Sequence, residues 1–377
     1  MTVPSGISDT MAVSARDRRF MAAAIRLARW HEGRTGSNPS VATLIVREID
    51  GAPVIVGRGV TAIGGRPHAE PQALAEAGEL ARGATAYVTL EPCAHHGRTP
   101  PCAEALVASG VTRVVAAATD PDERVSGRGY AILRAAGIEV EEGVLAREAE
   151  RDLAGYLKRR TSNRAHVTLK LAVSANGMIG RRDGRQVAIT GEIARHQVHA
   201  LRARSDVILI GVGTAINDDP ELTCRLPGLE DRSPVRLVLD TQLRLPAGSR
   251  LVATARDVPL WIATAAAPDD PRRAELAELG VEFLACDAHD GRIALPELLE
   301  DIAARGLSTV FVEGGADVAR TFLAEDLVDR LILLTGEGSV DGDAVNAPVT
   351  RTTIPEAFRL VASMTYGTDQ MDEYERA

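Results

Sequence analysis

The chain has 377 residues, 45% of them hydrophobic and 25% charged, with a formal charge of −9. That length predicts two domains, each large enough for a core of its own. The acidic balance argues against broad nucleic-acid binding, and no apolar run reaches the roughly 18–20 residues that span a bilayer.

The start, MTVPSGISDTMAVSARD, lacks the apolar core of a secretory signal and reads as a disordered tail over residues 1–14. Four cysteines, Cys93, Cys102, Cys224 and Cys286, are too few and too scattered for a disulfide framework. A reducing cytoplasm is the expected compartment. Cys224 and Cys286 read as small buried apolar residues, leaving Cys93 and Cys102 as the pair to explain.

Helix and strand signals alternate along the first half. RDRRFMAAAIRLARWHEG predicts an amphipathic helix, VATLIVRE and PVIVGRGVT strands, and HAEPQALAEAGELA a helix. ATAYVTL (strand), CAEALVASG (helix), VTRVVAAATD (strand) and GRGYAILRAAG (helix) follow. This order predicts a layered α/β domain over residues 15–150. The charged stretch LAREAERDLAGYLKRRTSNR carries the boundary, with a linker at 151–163 and a second α/β domain at 164–377. The second series includes VTLKLAVSANG, SDVILIGVGT, VRLVLD, LWIATA, VEFLACD, STVFVEGG and DRLILLTG as strands. No internal repeat is present.

His68, Cys93 and Cys102 supply three ligand types suited to zinc, and three protein ligands leave the fourth tetrahedral position for water. Zinc lowers the pKa of that water toward ~7. Glu70, two residues after the histidine at the same predicted helix start, is placed to move protons between water and a leaving amine. H-x-E, a strand, then P-C and a further cysteine is the zinc-deaminase arrangement, here with eight residues, AHHGRTPP, between the cysteines where two are usual. A closed structural site is the competitor. It would recruit His95 or His96 as a fourth ligand and leave Glu70 without a task.

PHAEPQAL, GATAYVTLEPCAHHGRTPPC and DPDERVSGRG resemble the deaminase half of the bifunctional riboflavin-biosynthesis deaminase/reductases. The resemblance implies a cytidine-deaminase-like three-layer fold with one zinc per chain. It also implies a zinc-bound hydroxide that removes the 2-amino group of 2,5-diamino-6-ribosylamino-4(3H)-pyrimidinone 5′-phosphate as ammonia. By the same resemblance Asn38 contacts the pyrimidine, and His95, Arg98 and Asp120 line the pocket. SNPSVATLIV departs from the family's PNPxVG at Ser37 and Ala42, neither a ligand.

In the second half, GVGTAINDDPELTCR lacks the third glycine of a dinucleotide fingerprint, since Ile216 stands there. VFVEGG precedes a helical pattern, and its glycines let a phosphate approach free backbone N–H groups. Each taken alone is equally a tight turn. With VTLKLAVSANGMIG and ITGEIARHQVHALRARSD, these segments are similar in order to the reductase half of the same family, which implies a dihydrofolate-reductase-like fold using NADPH to open the ribosyl group to ribityl. The resemblance puts Ala172, Ala188, Thr214, Asp218, Gly314 and Gly315 near the cofactor, and Lys170, Gln186, Arg202, Leu222, Arg225 and Glu313 near the substrate. Arginine suits a sugar phosphate because its planar fork pairs with phosphate oxygens.

The second half also departs from the family. Ser174-Ala175-Asn176-Gly177 stands where S-L-D-G is common, Gln186-Val187-Ala188 where Ser-x-Trp is, and LTGEGSVDGDAVNAP lacks the usual A-P-x-x-x-G. The missing aromatic leaves open a deaminase whose second domain binds without reducing; the alternative from another class is a zinc-stabilised binding protein. Homo-oligomers are expected from the family alone.

Overall fold

The computed structural model describes residues 14–96, 100–122, 125–183 and 186–377. The tail expected before residue 14 lies almost wholly outside the described residues. The chain divides into two units: 1–31 with 38–157, and 32–37 with 158–377.

The first unit opens with α1 (Ala15–Ala28), started by Ser14, whose Oγ accepts the Asp17 N–H, and burying Phe20, Met21, Ala24 and Ile25 on one face. Then come β1 (Ala42–Ile49), β2 (Ala52–Val60), α2 (Ala69–Ala77), β3 (Thr85–Leu90), α3 (Cys102–Ser109), β4 (Arg113–Ala118), α4 (Arg128–Ala135), β5 (Glu139–Glu141) and α5 (Ala146–Asp152). Helix α6 (Ala154–Ser162) runs across the division. The sheet order is β2-β1-β3-β4-β5. The first two contacts are antiparallel, and β3-β4-β5 are parallel.

One face of this sheet packs against α1 and α5 through Leu44, Val46, Tyr87 and Val115. The other packs against α2, α3 and α4 through Ile45, Ala86, Val88 and Val114. Three layers result. Helix α2 lies unusually close to β2: a Cβ at Gly57 would fall 2.1 Å from the Ala73 carbonyl oxygen, and one at Gly59 2.0 Å from that of Ala69. Only glycine fits beneath this helix, and its tight seat fixes where the α2 N-terminus points.

The second unit is built on β6 (His166–Val173), β7 (Met178–Arg181), α7 (Glu192–Arg202), β8 (Val207–Gly211), α8 (Val212–Asp218), β9 (Val235–Leu239), α9 (Arg250–Ala253), β10 (Leu260–Thr264), α10 (Pro271–Glu278) and β11 (Val281–Ala285). After the small β12 (Ala288–His289) and β13 (Arg292–Ile293) come α11 (Leu295–Ala304), β14 (Thr309–Val312), α12 (Ala316–Ala324), β15 (Arg330–Thr335), β16 (Ala344–Asn346), β17 (Phe358–Tyr366) and β18 (Asp369–Arg376). The main sheet has nine strands in the order β11-β10-β9-β8-β14-β6-β15-β18-β17. It is parallel up to β15, and its last two strands are antiparallel. Apolar residues fill both faces, α11 and α12 covering one and α7 the other. All the strands expected from the sequence are present; β5, β7, β12, β13, β16 and the β17–β18 hairpin are additional.

Candidate active sites

The first site forms where two strand-to-helix connections meet. His68 is the N-cap of α2, Cys102 opens α3, and Cys93 follows β3. His68 Nδ1 lies 3.8 Å from Cys93 Sγ and 3.4 Å from Cys102 Sγ, and all three ligand atoms fall within 4.8 Å of one another. Bonds of about 2.3 Å to sulfur and 2.0–2.1 Å to nitrogen place tetrahedral zinc ligands of these types about 3.6 Å apart. The two histidine–sulfur separations match that value. The Cys102 N–H donates to Cys93 Sγ at 3.2 Å, and the Ala103 N–H to the Cys93 carbonyl, so the start of α3 holds Cys93 in place.

The two thiols shift in opposite directions. The Cys93 thiol is lowered to about 4, chiefly by its hydrogen bond with Cys102 and also by His68. Cys102 is pushed up, by Cys93 first, then by burial and the Glu70 carboxylate. A bound divalent cation reverses that second direction, since a coordinating thiol is deprotonated outright. Glu70, in the first turn of α2, is 4% exposed, and burial followed by the Cys93 charge raises its pKa. A carboxylate kept protonatable beside a metal site is suited to shuttling protons.

Asn38 donates its Nδ2 to the Gly65 carbonyl at 3.1 Å, three residues before His68. His95 is half-buried, and its Nδ1 has no hydrogen-bond partner among the described residues. Asp120 is buried and accepts the Asp122 N–H at 2.9 Å. Arg98 lies outside the described residues. A residue not singled out from the sequence ties the wall together: Glu91, two positions before Cys93, accepts the N–H groups of Gly127 and Gly129 at 3.1 Å each. A Cβ at Gly129 would come within 2.1 Å of the Pro92 carbonyl oxygen, so SGRG needs that glycine to lie against the cysteine loop.

The second site gathers at the C-terminal ends of β6, β8 and β14. Arg202, from the end of α7, donates Nε to Glu313 Oε1 at 2.6 Å and Nη2 to Oε2 at 3.0 Å. Lys170 Nζ lies 4.0 Å from the same carboxylate. The three side chains are 11–15% exposed. Burial lowers the Lys170 pKa despite Glu313. Burial pulls Glu313 upward, but Arg202 and Lys170 outweigh it and hold the group below its usual value.

Arg202 Nη1 donates to the Thr223 carbonyl at 3.1 Å, fastening the loop that carries Leu222 and Arg225. Leu222 is buried in a left-handed conformation, φ 55°. Arg225 is half exposed; its Nη1 meets Glu221 at 3.0 Å, and its backbone N–H donates to His199 Nδ1 at 3.3 Å. His199, lowered to about 4 by burial and then by Arg202 and Arg225, is neutral at pH 7 and accepts that bond. Neither His199 nor Glu221 was singled out from the sequence. Their signal, a histidine three residues before Arg202 and an acid four before Arg225, emerges only once those arginines are placed.

Of the residues expected near a cofactor, Thr214 in α8 and Gly315 at the N-cap of α12 come together: a Cβ on Gly315 would lie 2.9 Å from Thr214 Oγ1. A Cβ on Gly314 would press on Val318 at 2.9 Å. No side chain caps α12, so its first N–H groups face outward with the positive end of the dipole. Ala172 shares the Lys170 face of β6. Gln186 Nε2 donates to the Asp218 carbonyl at 2.9 Å, joining two expected residues, while Ala188 is exposed on the same loop. Asn176 has a task of its own: it accepts the Val340 N–H at 3.1 Å and donates to the Val340 carbonyl at 3.0 Å. Aspartate there would keep the first bond and lose the second.

Residues 14–118 match the model of the cytidine and deoxycytidylate deaminase zinc-binding region, and residues 165–370 match that of the RibD C-terminal domain. The chain is 41% identical over 312 residues to the riboflavin biosynthesis protein RibD of Bacillus amyloliquefaciens, covering 83% of this chain and 82% of that one. Against the Escherichia coli protein of that name it is 39% identical over 340 residues, covering 87% and 90%. Among solved structures it is similar to Acinetobacter baumannii RibD (TM-score 0.82, 35% identity, 96% and 99% covered). A Thermotoga maritima diaminohydroxyphosphoribosylaminopyrimidine deaminase/5-amino-6-(5-phosphoribosylamino)uracil reductase gives TM-score 0.82 at 31% identity with the same coverage. Two catalytic units in this order, matched along nearly their whole length, leave one assignment: the chain belongs to the RibD family of riboflavin-biosynthesis deaminase/reductases.

Proposed function

We propose that the first unit deaminates 2,5-diamino-6-ribosylamino-4(3H)-pyrimidinone 5′-phosphate and that the second reduces the ribosyl group of the product to ribityl with NADPH. The observation that carries the first half is the triad His68–Cys93–Cys102 at zinc-ligand separations with a buried carboxylate beside it. His68, Cys93 and Cys102 would hold one zinc per chain there, and the starts of α8 and α12 would hold NADPH. Bound zinc supplies Lewis-acid activation of water, and bound NADPH supplies two reducing electrons with a proton.

Glu70 takes a proton from the attacking water and returns it to the departing amine, its burial-raised pKa suiting both transfers. Asn38, His95, Arg98 and Asp120 orient the pyrimidine. In the second unit, reduction at C1′ breaks the C1′–O4′ bond and leaves an oxygen that needs a proton. Lys170, whose buried ammonium is already easier to deprotonate, stands ready to give it, with Glu313 balancing the charge. Arg225, half exposed, grips the 5′-phosphate, while Arg202 holds Glu313 in register.

We place this chemistry in the cytoplasm, in a homo-oligomer, with small molecules rather than nucleic acid or membrane as partners. Among the described residues no helix is long and apolar enough to cross a membrane. The test is paired: ammonia release from the diaminopyrimidinone phosphate, then NADPH oxidation on adding cofactor. Ammonia without oxidation would leave a deaminase carrying a binding domain, and neither activity would leave a zinc-stabilised binding protein.

A further inference from the structure

The last turn of α7 carries His199 and Arg202, three residues apart and so on one face of the helix. Both meet the loop that follows α8. Arg202 Nη1 donates to the Thr223 carbonyl at 3.1 Å, the Cys224 thiol to the His199 carbonyl at 3.5 Å, and the Arg225 N–H to His199 Nδ1 at 3.3 Å. One helical turn thus fastens three consecutive loop residues. The loop needs fastening, because Leu222 holds φ 55°, a conformation that a bulky side chain disfavours and that persists only where its surroundings fix it.

The Arg225 guanidinium is directed by its own loop. Its Nη1 donates to Glu221 Oε2 at 3.0 Å and to Thr223 Oγ1 at 3.3 Å, and the Glu221 carbonyl is held by the buried Arg236 at 3.2 Å. Where the loop backbone goes, the guanidinium follows. The bond to His199 fixes that backbone at Arg225 itself. An imidazole nitrogen accepts only while it carries no proton. Burial, then Arg202 and Arg225, lower the His199 pKa to about 4, against the opposing pull of Glu313 and of a hydrogen bond to the Thr223 backbone. At pH 7 the ring is neutral, and Nδ1 keeps the lone pair that receives the Arg225 N–H.

We propose that His199 is a positioning residue of the reduction, setting the backbone from which Arg225 reaches the 5′-phosphate. This rests on the reading of Arg225 as the group that grips that phosphate. His199 acts on the substrate through Arg225, so its contribution falls on substrate binding and not on hydride transfer.

The test uses the full-length, zinc-loaded chain as wild type, His199→Leu, His199→Asn, Arg225→Ala and the His199→Leu/Arg225→Ala double variant. Leucine and asparagine have the same shape, and only asparagine keeps an acceptor, Oδ1, as many bonds from Cα as Nδ1. The deaminated ribosylaminouracil phosphate with saturating NADPH gives reductase KM and kcat, and ammonia release and melting temperature are read in the same samples. His199→Leu should raise the reductase KM about fivefold, the weight of one neutral hydrogen bond, with kcat within about twofold of wild type. His199→Asn should restore the wild-type KM, and the double variant should show the KM of Arg225→Ala alone. Ammonia release should match wild type throughout. An equal rise in His199→Leu and His199→Asn, no rise in His199→Leu, or independent effects in the double variant would overturn the role of His199 while leaving that of Arg225. An unchanged KM in Arg225→Ala would overturn the reading of Arg225, and the proposal with it. Falls in kcat, ammonia release and melting temperature together in His199→Leu would show a merely structural contact and also overturn it.

Discussion

Arg202 and Glu313, 111 residues apart in sequence, meet as a two-pronged ion pair, with Nε–Oε1 at 2.6 Å and Nη2–Oε2 at 3.0 Å. The fork expected to grip a phosphate is already occupied by a carboxylate, and its remaining nitrogen is spent on Thr223. Lysine cannot reproduce that planar geometry. Arg202→Lys should therefore cost the reductase at least ~10-fold in kcat/KM while ammonia release stays at the wild-type rate. Glu313→Gln leaves Lys170 and Arg202 buried without a counter-charge, which should cost about 3 kcal/mol of stability. Denaturant titration of the variant checks this, and an unchanged midpoint would show the pair is not energetically coupled.

Glu70→Gln should keep its zinc and lose deamination, because the carboxylate moves protons and is not among the three ligands. Cys102→Ser should lose both the metal and the activity. Elemental analysis with an ammonia assay separates the two. Zinc lost from the Glu70 variant would make that residue a ligand instead.

Ala188 stands exposed on the loop whose Gln186 bonds Asp218. An aromatic wall at that position contributes about 0.5–1.5 kcal/mol beyond its buried area. Ala188→Trp should tighten NADPH by roughly tenfold, read by fluorescence titration. An unchanged Kd would place Ala188 away from the cofactor.

His166 is buried, and burial lowers its pKa to about 4, against an unfolded value near 6.5. The unfolded chain then binds the extra proton first. This stabilising contribution is complete above pH 6.5 and is lost as pH falls toward 4, about 2 kcal/mol of it between pH 8 and pH 5. His166→Gln should flatten the fall in stability over that interval. An equally steep loss in the variant would assign the acid sensitivity to other groups.

The first unit's core takes in Ala149 and Leu153, with Tyr156 and Leu157 packed against it. A fragment ending at 150 cuts into this packing, whereas one ending at 162 retains it with the whole of α6. The longer fragment should be the more stable by thermal melting, and equal melting temperatures would show that α6 contributes nothing to the first unit.

The deaminase site was legible because its parts are local: a helix start supplies His68 and Glu70, and one connection supplies both cysteines. Glu91 was not, since its partners Gly127 and Gly129 are 36 and 38 residues away. The reductase site combines α7, β6 and the end of β14, and no spacing reveals that Arg202 and Glu313 bond each other. The C-terminal hairpin was hidden for another reason. β18 reads DQMDEYER, too acidic for a strand by propensity, yet it buries Asp369, Met371, Asp372 and Tyr374. Asp369 accepts the Gly191 N–H at 2.6 Å, and Ser363 donates to Asp372. Tertiary hydrogen bonds, invisible in the sequence, offset those buried charges.

The central claim is that one chain carries both activities in two separable sites. The most direct measurement gives the Glu70→Gln protein the deaminated ribosylaminouracil phosphate with saturating NADPH and follows absorbance at the nicotinamide band. We predict oxidation at the wild-type rate, with no ammonia released when the same sample receives the diaminopyrimidinone phosphate. No oxidation by either the variant or the wild-type chain would contradict the account.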